Sequence, residues 1–331
     1  MSAETFSAIP WVATPAATSS DTSIGWSKQS VPYISGGTRL QTLDIWIPAT
    51  ESTSSSAPPP GSVPAIPGPW VIYIHGGAWR DPLVDSSSFA ATAQNLLRKA
   101  SVPGGPKFAG LASLNYNLSP HPLHPTHPAP PADPSQAPDP ARTAKHPDHI
   151  ADVLAALAYL QGSLGVAQDY VLSGHSCGAT LAFQVVMDRE QWGLGPNAPA
   201  AVKPRVILGL NGLYDLVKFL RAPDESHAKL APLYEAFTRN AFGDEEATWE
   251  QVCPGSVTDW DAEWPEAEKV VLVQSKEDTL VPYSQLEAMR EGLKTSKAEL
   301  AESEASGDHN GLWQAGDRLA DIIESILKEW K

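Results

Sequence analysis

The sequence predicts an α/β fold, with a mostly parallel central sheet of about eight strands and helices on both faces. Three observations carry this. Continuous apolar runs such as Trp70-Val71-Ile72-Tyr73-Ile74 and Val270-Val271-Leu272-Val273-Gln274 read as strands buried on both sides. Segments with apolar residues at helical spacing alternate with those runs. Finally, Gly174-His175-Ser176-Cys177-Gly178 sits between the apolar run Tyr170-Val171-Leu172 and a helical run from Ala179 to Met187, giving strand, sharp turn and helix in that order.

The chain has 331 residues, 42% of them hydrophobic, enough for one large core spanning 1–331 as a single domain. Its net charge of −15 disfavours nucleic acid and anionic membranes as partners. One of its two cysteines, Cys177, lies inside the turn, so no structural disulfide is expected and a reducing, cytoplasmic setting fits. No apolar stretch reaches membrane-spanning length, and the first residues lack the pattern of a signal peptide.

In chain order, residues 1–25 are rich in Ser, Thr, Ala and Pro and are expected to be irregular. Thr42 to Pro48 alternates apolar and polar residues and ends at Pro, as an antiparallel strand would. Residues 49–68 form a Pro/Ser-rich exposed loop. After the strand Trp70–Ile74, Asp85 to Ala100 reads as a helix with Phe89, Ala93, Leu96 and Leu97 on one face, and Gly110 to Tyr116 as the next strand. Residues 119–147 hold ten prolines and few large apolar residues, so a solvated insertion with little part in the core is expected. Its His121, His124 and His127 lack the regular presentation and the accompanying Cys or carboxylate ligands of a metal site, and no metal is expected. Asp148 to Leu164 is a helix, and Arg205 to Leu210 and Val270 to Gln274 are further buried strands. Between those two, residues 213–264 are expected to form a cap-like helical wall of a pocket. Gly311 to Lys331 closes the chain as an amphipathic helix with Leu312, Leu319, Ile322, Ile323 and Ile326 inward.

The G-x-S-x-G turn has the pattern of a nucleophile elbow, which exposes Ser176 Oγ above the sheet while glycines clear space for the neighbouring strand and helix. A serine hydroxyl needs a base, itself oriented by an acid. Asp278, just past the strand ending at Gln274, is the candidate acid, with Glu277 as competitor and Asp215 as a more distant alternative. His309, in the loop opening the last helix, is the candidate base. His227 is assigned to the surface or cap, and His175 to packing beneath the turn. An oxyanion needs donors already in place. The loop His75-Gly76-Gly77-Ala78-Trp79 follows a strand and offers the N–H groups of Gly76 and Gly77, joined by that of Cys177.

H-G-G-x-W followed by G-H-S-x-G resembles the kynurenine formamidases of the α/β-hydrolase superfamily, and most nearly their fungal branch. Asn115 to Pro120, His146 to His149, Gly212 to Leu216 and Asp278 to Pro282 fit as well. The resemblance covers roughly residues 30 to 330 and implies an α/β-hydrolase fold. It carries the triad onto Ser176, Asp278 and His309 and the oxyanion motif onto His75 through Trp79, with Trp79 and Tyr116 as substrate-binding candidates. It implies hydrolysis of N-formyl-L-kynurenine to L-kynurenine and formate in tryptophan breakdown, through a formyl-enzyme and without metal or organic cofactor. The Pro-rich insertion after Pro120 departs from the pattern and concerns the pocket rim. The expected partner is this small-molecule substrate, with a homodimer as the assembly to test. Two other readings share the scaffold: a broad carboxylesterase, and a non-catalytic binding protein.

Overall fold

The computed structural model describes residues 3–16, 19–166, 169–195 and 198–330. Nine strands form one sheet: β1 (Val12–Ala16), β2 (Ser19–Pro32), β3 (Thr42–Pro48), β4 (Trp70–Ile74), β5 (Gly110–Leu114), β6 (Tyr170–His175), β7 (Val206–Leu210), β8 (Lys269–Ser275) and β9 (Glu299–Ala305). Their order is β1-β2-β3-β5-β4-β6-β7-β8-β9. The pairs β1·β2, β2·β3 and β3·β5 are antiparallel and the remaining five are parallel.

Side-chain alternation divides the core between the two faces of the sheet. From β4, Val71 and Tyr73 join Leu96, Leu97, Leu319, Ile322 and Ile323 of the helices Ala90–Ala100 and Asp317–Glu329. Trp70, Ile72 and Ile74 point the other way, to Ile150, Val153, Leu154 and Leu157 of the helix Asp148–Leu164 and Leu181 of the helix Cys177–Gln184. Each central strand is buried on both sides, which is why it reads as an unbroken apolar run.

Several expectations are corrected. The described residues among the first 25 are not irregular: Ala3–Ala8 is a short helix, and β1 and β2 extend the sheet. A buried ammonium fixes this segment. Lys28 Nζ donates to the carbonyls of Phe6 and Pro60, both at 2.8 Å, and of Ile9. The reading also passed over β9, whose sequence Glu299-Leu300-Ala301-Glu302-Ser303-Glu304-Ala305 has no apolar run. It is an edge strand, where charge protects the open side, and Arg290 and Lys276 pair with its Glu302 and Glu304. The closing helix is two helices, Gly311–Gln314 and Asp317–Glu329, broken at Gly316 with φ 75°. A Cβ there would meet the backbone of Ala91 and Thr92.

Residues 119–147 contain little regular structure, as their prolines dictate, but they are not merely solvated. Ser119, His124, Ala129, Ala141, Arg142 and Ala144 are buried. Asn240, from the cap-like segment, donates to Pro120 O at 3.0 Å. Among the described residues no helix is long and apolar enough to cross a membrane.

Candidate active site

The parallel register of β4 and β6 pairs Ile74 with Gly174, so the loop after β4 and the turn after β6 emerge side by side. The loops after β8 and β9 open at the same carboxyl edge, where open α/β sheets carry their sites.

Ser176 sits at the sharp turn with φ 56° and ψ −124°, a conformation that costs a residue with a Cβ roughly 1–3 kcal/mol. Two contacts over-determine it: its N–H donates to Leu210 O at 2.8 Å, and its carbonyl accepts from Ala179 N–H at 3.0 Å. Gly174 and Gly178 are required by close approach. A Cβ on the first would run into the Gly178 backbone, and on the second into the carbonyls of Ile74 and His75.

His309 Nδ1 lies 2.7 Å from Asp278 Oδ2, with both side chains buried. The other oxygen, Oδ1, accepts from the N–H groups of Leu280 and Val281, each at 2.8 Å. A carboxylate so held only accepts, so Nδ1 carries the proton and Nε2 is left bare to receive one. Ser176 and His309 line one cavity of about 210 Å³.

The competitors are engaged elsewhere. Glu277 Oε2 accepts from Gly307 N–H at 2.6 Å and braces the loop of His309 from outside. Asp215 accepts from Lys218 N–H at 2.8 Å and caps the helix Leu216–Arg221. Of the two places expected for His227, surface or cap, the surface is ruled out: it is buried in the short helix Glu225–Leu230, and its Nε2–H donates to Asp278 O at 3.0 Å. His175 lies beneath the turn as expected, its Nε2–H donating to His309 O at 2.9 Å. Burial, then the neighbouring His309, hold it well below the usual histidine range, so it stays neutral.

The oxyanion loop is oriented by Tyr116. Its hydroxyl donates to the carbonyls of His75 at 3.0 Å and Gly76 at 3.3 Å, and His75 Nδ1–H adds a bond to Gly76 O at 2.8 Å. In a trans peptide the N–H points opposite the carbonyl. The N–H of Gly77 is therefore turned away from those donors, and Gly77 lies on the cavity wall. Cys177 opens the helix after Ser176, so its N–H has no intrahelical acceptor. Gly76 lies against the elbow, where a Cβ would meet His175 Nδ1 at 2.8 Å and Ser176 Cβ at 3.0 Å; neither Gly76 nor Cys177 itself lines the cavity.

Two assignments are corrected. Trp79 and Tyr116 are fully buried and neither lines the cavity. Trp79 packs on Phe242 with ring centroids 4.9 Å apart, and its backbone N–H donates to Cys177 Sγ at 3.3 Å. Both residues shape the loop from below. The thiol of Cys177, pushed up to about 11 by burial, is not a competing nucleophile.

Leu213, Phe219, Leu233, Tyr234 and Phe237 give the cavity its apolar lining. The cavity is also lined by Arg80, Asp81 and His121, which the sequence reading did not assign to the site. The signal available was position: Arg80-Asp81 follows His75-Gly76-Gly77-Ala78-Trp79 directly. Asn211 was also missed. It donates to His309 O at 3.1 Å and accepts from Ser275 N–H at 3.0 Å, joining the loop of His309 to the end of the strand that precedes Asp278. A larger hollow of about 380 Å³, near Met187 and Gln251, is lined by Glu250, Asp259 and Glu263 and by Cys253, whose buried thiol donates to Trp249 O at 2.8 Å. Among the described residues no group of three or more His, Cys, Asp or Glu is placed to hold a metal ion.

No protein-family model matches the chain. Among solved structures it is similar to esterase B from Lactobacillus rhamnosis (HN001), with TM-score 0.62 and 15% identity over 92% of this chain and 85% of that one. A truncated carbohydrate esterase from gut microbiota superposes with TM-score 0.58 at 18% identity, over 96% of this chain and 100% of the other. Fold and elbow together define an α/β-hydrolase. In sequence the chain is 34% identical over 307 residues to the kynurenine formamidase-like hydrolase fscH of Fusarium equiseti, covering 90% of this chain and 93% of that protein. It is 30% identical over 300 residues to the kynurenine formamidase avaC of Aspergillus versicolor, covering 86% of this chain and 94% of the other. The chain belongs to the kynurenine formamidase family and is a hydrolase.

Proposed function

We propose that this enzyme hydrolyses N-formyl-L-kynurenine to L-kynurenine and formate, with Ser176 as nucleophile, His309 as general base and Asp278 as its orienting acid. The observation that carries the assignment is the 2.7 Å bond from His309 Nδ1 to a doubly anchored Asp278, with Ser176 on the same cavity wall as the imidazole. Ser176 Oγ attacks the formyl carbon as His309 Nε2 takes its proton, and the N–H groups of Gly77 and Cys177 receive the developing oxyanion. The imidazolium then protonates the aniline nitrogen, kynurenine leaves, and a water deprotonated by the same histidine releases formate. The apolar wall of Leu213, Phe219, Tyr234 and Phe237 suits an aryl group. Both cysteines are free and buried, which suits a cytoplasmic enzyme.

The test is release of kynurenine from N-formyl-L-kynurenine by the purified chain, followed by absorbance. Turnover that disappears in Ser176→Ala supports the assignment. Turnover of simple aryl esters with none of the formamide would replace it with a carboxylesterase.

A further inference from the structure

Arg80 is buried on the cavity wall, and among the described residues no hydrogen bond or ion pair takes its guanidinium. The ring of Phe237 lies 5.9 Å from the guanidinium carbon to the ring centroid, and Asp81 and His121 line the same cavity. A buried cation without a partner is costly and is retained where something outside the fold completes it. Asp81, next in sequence, does not do so. Its Oδ1 accepts from Leu83 N–H at 2.9 Å and lies 3.7 Å from His124 Nε2, and it is not within ion-pair distance of Arg80. Nor does the insertion, which brings His121 to the same wall and buries Arg142 with Nε and Nη2 unpaired. Arg80 is thus the one permanent cation lining the cavity among the described residues, beside the Asp81 carboxylate, while burial pushes His121 down to about 4 and keeps it neutral.

Position adds to this. Arg80 N–H donates to Gly77 O at 3.0 Å, so the guanidinium is mounted on the same tight turn as the oxyanion loop. A carboxylate held by Arg80 would be registered directly against the Gly77 N–H. A planar guanidinium suits a carboxylate because it can donate two parallel hydrogen bonds.

We propose that Arg80 is a specificity-determining residue that binds the α-carboxylate of an aryl-formamide amino-acid substrate. This rests on the formamidase reading given above and names the part of the substrate recognised away from the scissile bond. The group that completes Arg80 is the substrate's own carboxylate, and its pairing positions the formyl carbon over Ser176.

The test compares three formamides of one aryl core: N-formyl-L-kynurenine, its decarboxylated analogue N-formylkynuramine, and neutral 2-formamidoacetophenone. With the wild-type enzyme, kcat/KM should fall roughly 10- to 100-fold when the carboxylate is absent, since a charge-assisted pair is lost and Arg80 is left unpaired. In Arg80→Gln, the ratio between N-formyl-L-kynurenine and N-formylkynuramine should shrink to near one, and Arg80→Lys should restore part of it. A merely structural arginine would lower turnover of all three substrates together and leave the ratio intact, which would overturn the proposal. So would a wild-type enzyme that turns over all three with equal kcat/KM, although the formamidase reading would then stand. Failure of the wild type on every formamide would instead sink that reading, and this proposal with it.

Discussion

The imidazole of His175 donates to the backbone carbonyl of His309 at 2.9 Å, so the residue before Ser176 holds the loop that carries His309. Asn211 Nδ2 donates to the same carbonyl at 3.1 Å. The two bonds fix His309 from the elbow side, while Asp278 fixes its ring from the other. His175→Phe keeps a ring of similar size and removes the bond. It should lower kcat roughly tenfold or more, because small misplacements of a catalytic group are costly. KM should move less, and steady-state kinetics beside a melting curve separates this from unfolding. An unchanged kcat would show that Asn211 suffices.

The choice between adjacent carboxylates can be made by two conservative substitutions. Asp278→Asn cannot accept the Nδ1 proton in the same way and leaves the imidazole in the wrong tautomer. The corresponding change in the serine-protease template costs about 10⁴ in kcat, and a loss of that order is expected here. Glu277→Gln keeps an acceptor for Gly307 N–H and should stay within a few-fold of wild type. The reverse ranking, measured with the same formamide, would move the acid to Glu277.

Much of this site could be read in the sequence because the elbow, the oxyanion loop and the loop of Asp278 each follow an apolar strand buried on both faces. Burial writes such strands as continuous runs, and the functional residues sit at their carboxyl ends. Where burial is one-sided the signal fades. β2 hides Trp26 and Lys28 among Ser, Thr and Asp, and β9 is charged because it is an edge. Trp79 and Tyr116 belong to family-like motifs, but a motif does not say whether a side chain faces the ligand or braces the backbone beneath it. Arg80 and Asn211 were missed for a related reason: their roles arise from contacts between segments far apart in sequence.

The insertion gives a third prediction. Replacing Leu123 to Ala141 with a short Gly-Ser bridge would be nearly neutral if the segment were only a solvated loop, since loop length is a weak entropic term. The structure buries His124, Ala129 and Ala141 within it, and Ala141 O accepts from Leu118 N–H at 2.8 Å. The deletion should lower Tm by at least roughly 3 °C, the shift expected for about 1 kcal/mol in a domain of a few hundred residues. It should also raise KM, because His121 loses its support beside the cavity. Wild-type Tm and KM together would show that the segment is dispensable.

Acid stability provides the last prediction, and its sign follows from buried histidines held neutral. Burial pushes His75 down to about 4 and His149 down to about 3, against an ordinary value of 6.5. Between pH 6.5 and about 4 the unfolded chain therefore binds protons at these residues that the folded chain does not, and unfolding stability rises with pH. The contribution is fully present above 6.5 and is lost as pH falls below it. Each histidine removes about 1 kcal/mol per pH unit until its folded form also titrates. Asp44 and Asp152 act oppositely but lower down: burial raises both from 3.8, so the folded state holds their protons longer and offsets part of the loss near the acid end. Urea unfolding at pH 7, 6 and 5 should show stability falling at each step. His149→Gln, which keeps a polar group near Ser119 Oγ, should lower stability at pH 7 and flatten the slope by close to one proton. A stability independent of pH over this range would mean that these rings are not held neutral by the fold.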